Sequence, residues 1–442
     1  MTGDTYNYTV SDDTITVVDW NDKNIFLWYN ALMNKKIICI IICLLSSIIF
    51  GCVSDSGTAD NRQETNTFES GTYNQSSSTG GEQEKNEVNK ISTDDKFESA
   101  SSAVASMKVG WNLGNTLDST GDWISRDSAS IVTNFETAWG NPVATEALIK
   151  HIKELGFGAV RIPVTWNYHF DSEGNIDKNW LNRVTELVDC VLENDMYCII
   201  NIHHDTGTDG WLRASTNNFT VNHVKFEKLW SQIATNFKEY DDKLLFEGFN
   251  EMLDESANWS KPGSDALAAI NMYNQSFVAC VRSTGGNNSN RNLIVNTYAA
   301  SSDEDVLSSF KLPYDTAKNH LIVEVHSYEP WSFTSTTATW TTMTNTFGEK
   351  EKKDIDGKLE LMRKYFTSND IPLIIGEFGS EDKSNTTERE KWATHMVSEA
   401  KKLGITCFVW DNGGKFNMGL VDRYVTSDPF PTIIKAIIDS GK

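Results

Sequence analysis

Glu251 closes the run LLFEGFNE, and Glu377 stands near the end of the run IPLIIGEFG. Each sits just past an apolar stretch with the length and β-branched content of a buried strand. A carboxyl group fixed at a strand end can donate a proton, accept one, or attack an electrophilic carbon. Those acts, shared between two carboxylates, are what cleavage of a glycosidic bond requires. The two glutamates lie far apart along the chain, so an architecture has to bring them together.

From about Val104 a short apolar run, a loop and an amphipathic stretch of helical period recur. Strands are expected at VGWNLG (from Val109), GAVRIPV (from Gly158), YCIINIH (from Tyr197), LLFEGFN (from Leu244), NLIVNT (from Asn292), LIVEVH (from Leu321), PLIIGEF (from Pro372) and TCFVW (from Thr406). Between them lie helix candidates: ATEALIKHIKELG, WLNRVTELVDCVLEN, VKFEKLWSQIATNFK, DALAAINMYNQSFVACVR and EREKWATHMVSEAKKLG. Alternation of this kind predicts parallel βαβ units, and eight of them close a (β/α)8 TIM barrel. An open, doubly wound sheet is the alternative.

A barrel places its chemistry at the C-terminal ends of its strands. Those ends carry Asn115 after the first, Arg161 within the second, His203 and His204 after the third, and Asn250 with Glu251 after the fourth. The sixth gives His326 and Tyr328, the seventh Glu377 and the eighth Trp410. Ionisable residues therefore gather on one rim. His203 and His204 cannot both point inward, because side chains along a strand alternate, and His203 is expected to be the inward one.

Composition narrows the partners. A formal net charge of -22 argues against binding a phosphate backbone, which needs clustered Lys and Arg, so nucleic acid is excluded as a partner. The 14 Trp suit a surface that stacks on sugar rings, although each one taken singly fits an ordinary core equally well. Of the seven cysteines, Cys39, Cys43 and Cys52 lie in or just after an apolar leader. Cys190, Cys198, Cys280 and Cys407 lack CxxC spacing and are expected as free thiols, with a Cys190 to Cys198 pairing left open.

The motifs VRIPV, NIHHD, FEGFNE, VEVHSYEP, IIGEFG and FVWDNG occur in this order, and together they resemble glycoside hydrolase family 5, the cellulase family. GWNLGNTLDS and TAWGNP further resemble its subfamily 4 of endoglucanases and xyloglucanases. The resemblance runs from about Val109 to Pro431. It implies Glu251 as acid/base and Glu377 as nucleophile of a retaining β-1,4-glucanase. It also implies that Arg161 and Tyr328 support Glu377, that Asn250 binds the sugar 2-OH, and that His203 and His326 orient catalytic groups or bind the sugar. Trp410 would floor the cleavage subsite, and Asn115 and Asp118 would hold a more distant sugar. His204, Trp139, Trp211, Trp259 and Trp331 are further contact candidates. The chemistry asks for a lowered pKa at Glu377 and a proton on Glu251 at the first step, which together predict a bell-shaped, mildly acidic activity profile. No cofactor or metal is implied, and a monomer is expected.

The N-terminal region divides into three parts. Residues 33–52, MNKKIICIIICLLSSIIFGC, have a basic start and an apolar run of signal-peptide length, ending in a lipoprotein-like box that would lipidate Cys52. Residues 1–32 are polar and unlike a leader, so translation is expected to begin at Met33. Residues 53–96 are rich in Ser, Thr, Gly and acids, too poor in apolar groups to offset ordering entropy, and are expected to be a disordered tether. Residues 97–442 form the expected catalytic domain, on a chain exported to the cell surface or beyond.

Two other functions compete. A metal-dependent hydrolase would use the HHD run, but neither HxH nor HExxH occurs, and the calcium-loop-like DIDG at Asp354 has Tyr365 where a bidentate Glu is needed. A glycan-binding lipoprotein that cuts nothing would need the aromatic groove but not both glutamates. Among enzymes, xyloglucan, mixed-linkage glucan and mannan remain alternatives to cellulose-type chains, since loops set that choice.

Overall fold

The computed structural model describes residues 8–11, 14–17, 97–207, 210–414 and 418–442. The leader, Cys52 and the tether lie outside the described residues. In the N-terminal unit, Tyr8–Ser11 pairs antiparallel with Thr14–Val17, a hairpin the polar sequence did not announce.

The C-terminal unit is a closed barrel of eight parallel strands. They are β1 (Gly110–Leu113), β2 (Ala159–Ile162), β3 (Tyr197–Asn201), β4 (Leu244–Glu247), β5 (Leu293–Asn296), β6 (Leu321–His326), β7 (Leu373–Phe378) and β8 (Thr406–Asp411). Strand β8 pairs with β1 to complete the ring, which settles the choice between barrel and open sheet.

Strand alternation sorts the side chains into layers. Trp111, Val160, Ile200, Phe246, Val295, Val323 and Ile375 face outward and pack against the helices in one large core. Ala159, Ile199, Leu245, Ile294, Ile322, Ile374 and Phe408 face inward near the bottom, where they meet Ala100, Ala103, Val104 and Met107 of the helix Ala100–Met107. That helix stoppers the barrel from below. It is capped by the Ser99 side chain, which accepts from the Ser102 N–H. Two residues further along, the inward positions of six of the strands turn polar: Asn112, Arg161, Asn201, Glu247, Asn296 and Glu324, all fully buried. This polar layer is the base of the site.

Strand β7 departs from simple alternation. Val325 pairs with Ile375 and His326 with Glu377, while Cys407 pairs with Ile375 and Val409 with Phe378. One extra residue is inserted near Gly376. Such a bulge re-aims the side chain that follows it. Glu377 thereby turns into the barrel mouth, and Phe378 packs in the outer core.

All five expected helices are present, with one extended: Thr216–Asn236 starts eight residues before the predicted Val224. The helix Glu349–Tyr365 was not foreseen, because charge dominates EKEKKDIDGKLELMRKY. Its apolar side is a narrow stripe of Ile355, Leu359 and Met362, at the i, i+4, i+7 spacing that buries one face. The DIDG run is part of this helix and forms no loop. Cys190, Cys198, Cys280 and Cys407 are free, as expected.

Candidate active site

Arg161 organises the polar layer. Its five N–H groups make five hydrogen bonds: Nε to Glu247 Oε2 at 2.6 Å, Nη2 to Glu247 Oε1 at 2.8 Å and to Asn250 Oδ1 at 2.9 Å, and Nη1 to Asn112 Oδ1 at 2.9 Å and to Glu377 Oε1 at 2.8 Å. A buried guanidinium with every donor satisfied holds its partners in one geometry. Because Asn250 accepts from Arg161 through its amide oxygen, its NH2 is the end left to offer a sugar hydroxyl.

The second oxygen of Glu377 accepts from the Tyr328 hydroxyl at 2.7 Å. His326 Nδ1 lies 2.7 Å from Glu251 Oε1 and 3.6 Å from Glu377 Oε2. Glu251, His326 and Glu377 thus bring one atom each within 4.8 Å of one another. Their exposures differ: the Glu251 side chain is 23% accessible and that of Glu377 only 6%. Burial pushes the Glu377 carboxyl above its ordinary range, while His326, Arg161 and the Tyr328 hydroxyl pull against that rise. The lowering expected from sequence is therefore not realised, because desolvation of a shielded carboxylate outweighs its donors.

His203 is buried and stacks nearly parallel to Trp410, with ring centroids 6.0 Å apart. The Val164 N–H donates to Asn201 Oδ1, which leaves the Asn201 NH2 to donate to His203 Nδ1 and Glu247 Oε1. This accounting makes Nε2 the protonated nitrogen of a neutral ring. Burial, followed by the charges of its neighbours, holds the His203 pKa well below the usual value, in keeping with a neutral donor. The strand ends at Asn201, so alternation does not govern His204: its ring lies 4.5 Å from that of His203 and 5.3 Å from Trp139, with Nε2 3.8 Å from Asp118 Oδ2.

The remaining candidates separate into two groups. Trp410 is half buried beside Gly114, where a Cβ would come within 2.7 Å of the indole. Trp331 is exposed and joins Tyr328 (5.6 Å) to Trp340 (5.9 Å), so an aromatic ridge leads away from Glu377. Asp118, by contrast, is fully buried and accepts the N–H groups of Asn115 and Thr116, which shapes the loop after β1. Asn115 in that loop has a left-handed φ of 54°. Trp211 donates to Asp205 at 2.6 Å, Trp139 donates to the Thr120 carbonyl, and Trp259 stands exposed.

The family model for cellulase (glycosyl hydrolase family 5) matches residues 117–416. The chain belongs to glycoside hydrolase family 5. It is 39% identical over 354 residues to endoglucanase A of Clostridium longisporum, covering 78% of this chain and 66% of that relative. A broad-specificity endoglucanase of family 5 subfamily 4 from the same organism superposes with a TM-score of 0.73 at 37% identity, over 78% of this chain and 99% of that one. A family 5 enzyme from Prevotella bryantii B14, solved with a xyloglucan tetradecasaccharide, gives a TM-score of 0.71 at 39% identity, over 78% and 99%.

Sequence reasoning missed part of this family 5 site. Asn112, Asn201, Glu247 and Glu324 all lie one step below the rim. Period-2 alternation on their own strands was the available signal, because Glu324 precedes His326 by two residues and so shares its face.

Proposed function

We propose that the chain is an endo-acting β-1,4-glucanase that cleaves β-glucans with retention of configuration. One observation carries this: Glu251 and Glu377 offer carboxylate oxygens within 4.8 Å of each other. Retaining enzymes space these groups by roughly 5 Å, too close for a water to intervene, so one of them must be the nucleophile.

Glu377, held by Arg161 and Tyr328 and shielded from solvent, attacks the anomeric carbon. Glu251, the more accessible carboxyl, protonates the departing oxygen, then takes a proton from the water that releases the sugar. The Asn250 NH2 donates to the sugar 2-OH as positive charge develops, and the His203 Nε2–H donates to a hydroxyl of the same ring. Trp410 lies beneath it.

The curated relatives named endoglucanase and the solved broad-specificity endoglucanases support a glucan substrate. Xyloglucan is the second reading, favoured by the ligand of the Prevotella bryantii structure. The run from Met33 to Cys52 supports export with lipid attachment at Cys52, which mass spectrometry of the mature N-terminus would test.

The functional test is Glu377→Gln. Turnover on carboxymethyl cellulose, lichenan and xyloglucan should vanish while polysaccharide affinity persists. Unaltered turnover removes Glu377 as nucleophile, and a wild type that binds these polysaccharides without turning them over favours a binding protein.

A further inference from the structure

Glu324 is a fully buried carboxylate that the proposed reaction does not use. Its Oε1 lies 3.1 Å from His326 Nε2 and 3.5 Å from Arg161 Nη2. Its Oε2 has no hydrogen-bond partner. Across on β7 stands Gly376, where a Cβ would fall 1.7 Å from Glu324 Oε1, so the neighbouring strand leaves out a side chain where this carboxylate passes. The place is shaped for an acid behind His326.

His326 consequently has a carboxyl group on each ring nitrogen: Glu324 at Nε2 and Glu251 at Nδ1, with Glu377 also near Nδ1. The other ionisable groups around it are Arg161 from β2, neutral His203 beyond β3, Glu247 from β4 and Tyr328 after β6. Arg161 is already shared among Glu247, Glu377 and Glu324. An ionised carboxylate accepts and does not donate, so Nε2 carries a proton facing Glu324, and Nδ1 carries one whenever Glu251 is ionised, the state that follows attack. Burial opposes that charge, yet Glu377, Glu251 and Glu324 lift the His326 pKa to about 10.

We propose that Glu324 is a positioning residue for the second half of the reaction, keeping His326 doubly protonated and aimed at Glu251 after the charge of Glu377 has been consumed. This rests on the retaining double displacement proposed above. Before attack, the negative charges beside His326 are Glu377 and Glu324. When Glu377 bonds to the anomeric carbon it becomes a neutral ester, and Glu251, having given its proton to the leaving oxygen, becomes the carboxylate. The negative charge moves from one neighbour of His326 to the other, and Glu324 stays constant throughout.

Without Glu324, His326 in the glycosyl-enzyme can pass its Nδ1 proton to Glu251. A protonated Glu251 cannot accept the proton of the incoming water. The water oxygen then fails to bond to the anomeric carbon, and the ester to Glu377 persists. The defect falls on the step that needs a base. The step that needs an acid is much less affected.

The test is Glu324→Gln, which keeps an acceptor for Nε2 and deletes the charge. With dinitrophenyl cellobioside, whose good leaving group makes hydrolysis of the glycosyl-enzyme limiting, kcat should fall roughly 10- to 100-fold, the scale known for the carboxylate behind a metal-ligating histidine. KM should fall with it, a burst of dinitrophenol should appear, and the acid limb of kcat, which reports ionisation of the base Glu251, should move to higher pH. Glu324→Asp should restore part of kcat. An equal fall in kcat and kcat/KM with no burst and no shifted limb would mean a packing role only and would overturn the proposal.

Should the variant fail to fold, 15N spectra of wild-type His326 decide, taken free and after trapping with a fluorinated cellobioside. An imidazolium at pH 8 in both states is the expected result, and a neutral ring in the trapped enzyme overturns it. If the wild type instead releases the inverted anomer, the double displacement itself falls, whatever Glu324 does.

Discussion

Tyr328 donates its hydroxyl to Glu377 Oε2 at 2.7 Å, on the side of the carboxylate opposite the Arg161 contact at Oε1. The two donors clamp both oxygens. A hydrogen bond to a charged group contributes about 1.5 to 3 kcal/mol, so Tyr328→Phe should lower kcat/KM roughly 10- to 150-fold. Circular dichroism should be unchanged. Kinetics within twofold of wild type would detach Tyr328 from the nucleophile.

The rise of the Glu377 pKa with burial has a kinetic signature. Glu377 must be ionised to attack, so the acid limb of kcat/KM should lie above the ordinary glutamate range of about 4.3. Raising the pH through that limb gains activity, and lowering it loses activity. A limb at or below the ordinary value would show that the donors prevail over desolvation.

The ridge of Tyr328, Trp331 and Trp340 predicts where a polymer extends beyond the cleavage point. Trp340 is 72% exposed and Trp331 38%, so both rings present a face to solvent. Trp340→Ala should raise KM for a long β-glucan roughly two- to tenfold, on the scale of about 0.5 to 1.5 kcal/mol for an aromatic stacking contact. It should leave kcat on a short aryl cellobioside unaffected. Equal effects on long and short substrates would place the ridge outside the binding path.

His169 supplies an acid-side stability test remote from the chemistry. Its ring stacks on Trp180 at 3.6 Å and meets the edge of Phe135 at 4.5 Å, with neither ring nitrogen hydrogen-bonded. Burial, helped by Arg126, lowers its pKa from 6.5 to about 3. A base with a depressed folded pKa contributes stability that is complete above pH 6.5 and is lost as pH falls toward 3. Urea melts at neutral and mildly acidic pH should show that loss in the wild type and a smaller one in His169→Phe. Identical slopes in the two proteins would rule out His169 as the titrating group.

The barrel was legible because eight apolar runs of strand length are separated by helical stretches, and burial on both faces of a parallel strand leaves that trace in sequence. The rim followed from the fold rule. The inner polar layer did not. Glu247 and Glu324 sit inside apolar runs, where an acid looks like an interruption unless its partner is known, and the partner, Arg161, comes from another strand. Nor does sequence reveal the inserted residue in β7, since a bulge depends on pairing with β6 and β8. The direction of the Glu377 shift was misjudged for a related reason: its donors are named by motif, but its degree of desolvation arises only from packing.

The stopper formed by Ala100–Met107 makes the cylinder a cul-de-sac. Glucan cannot be threaded end-first through such a vessel. A long chain has to drape across the opening, and both halves must depart by the side on which they arrived.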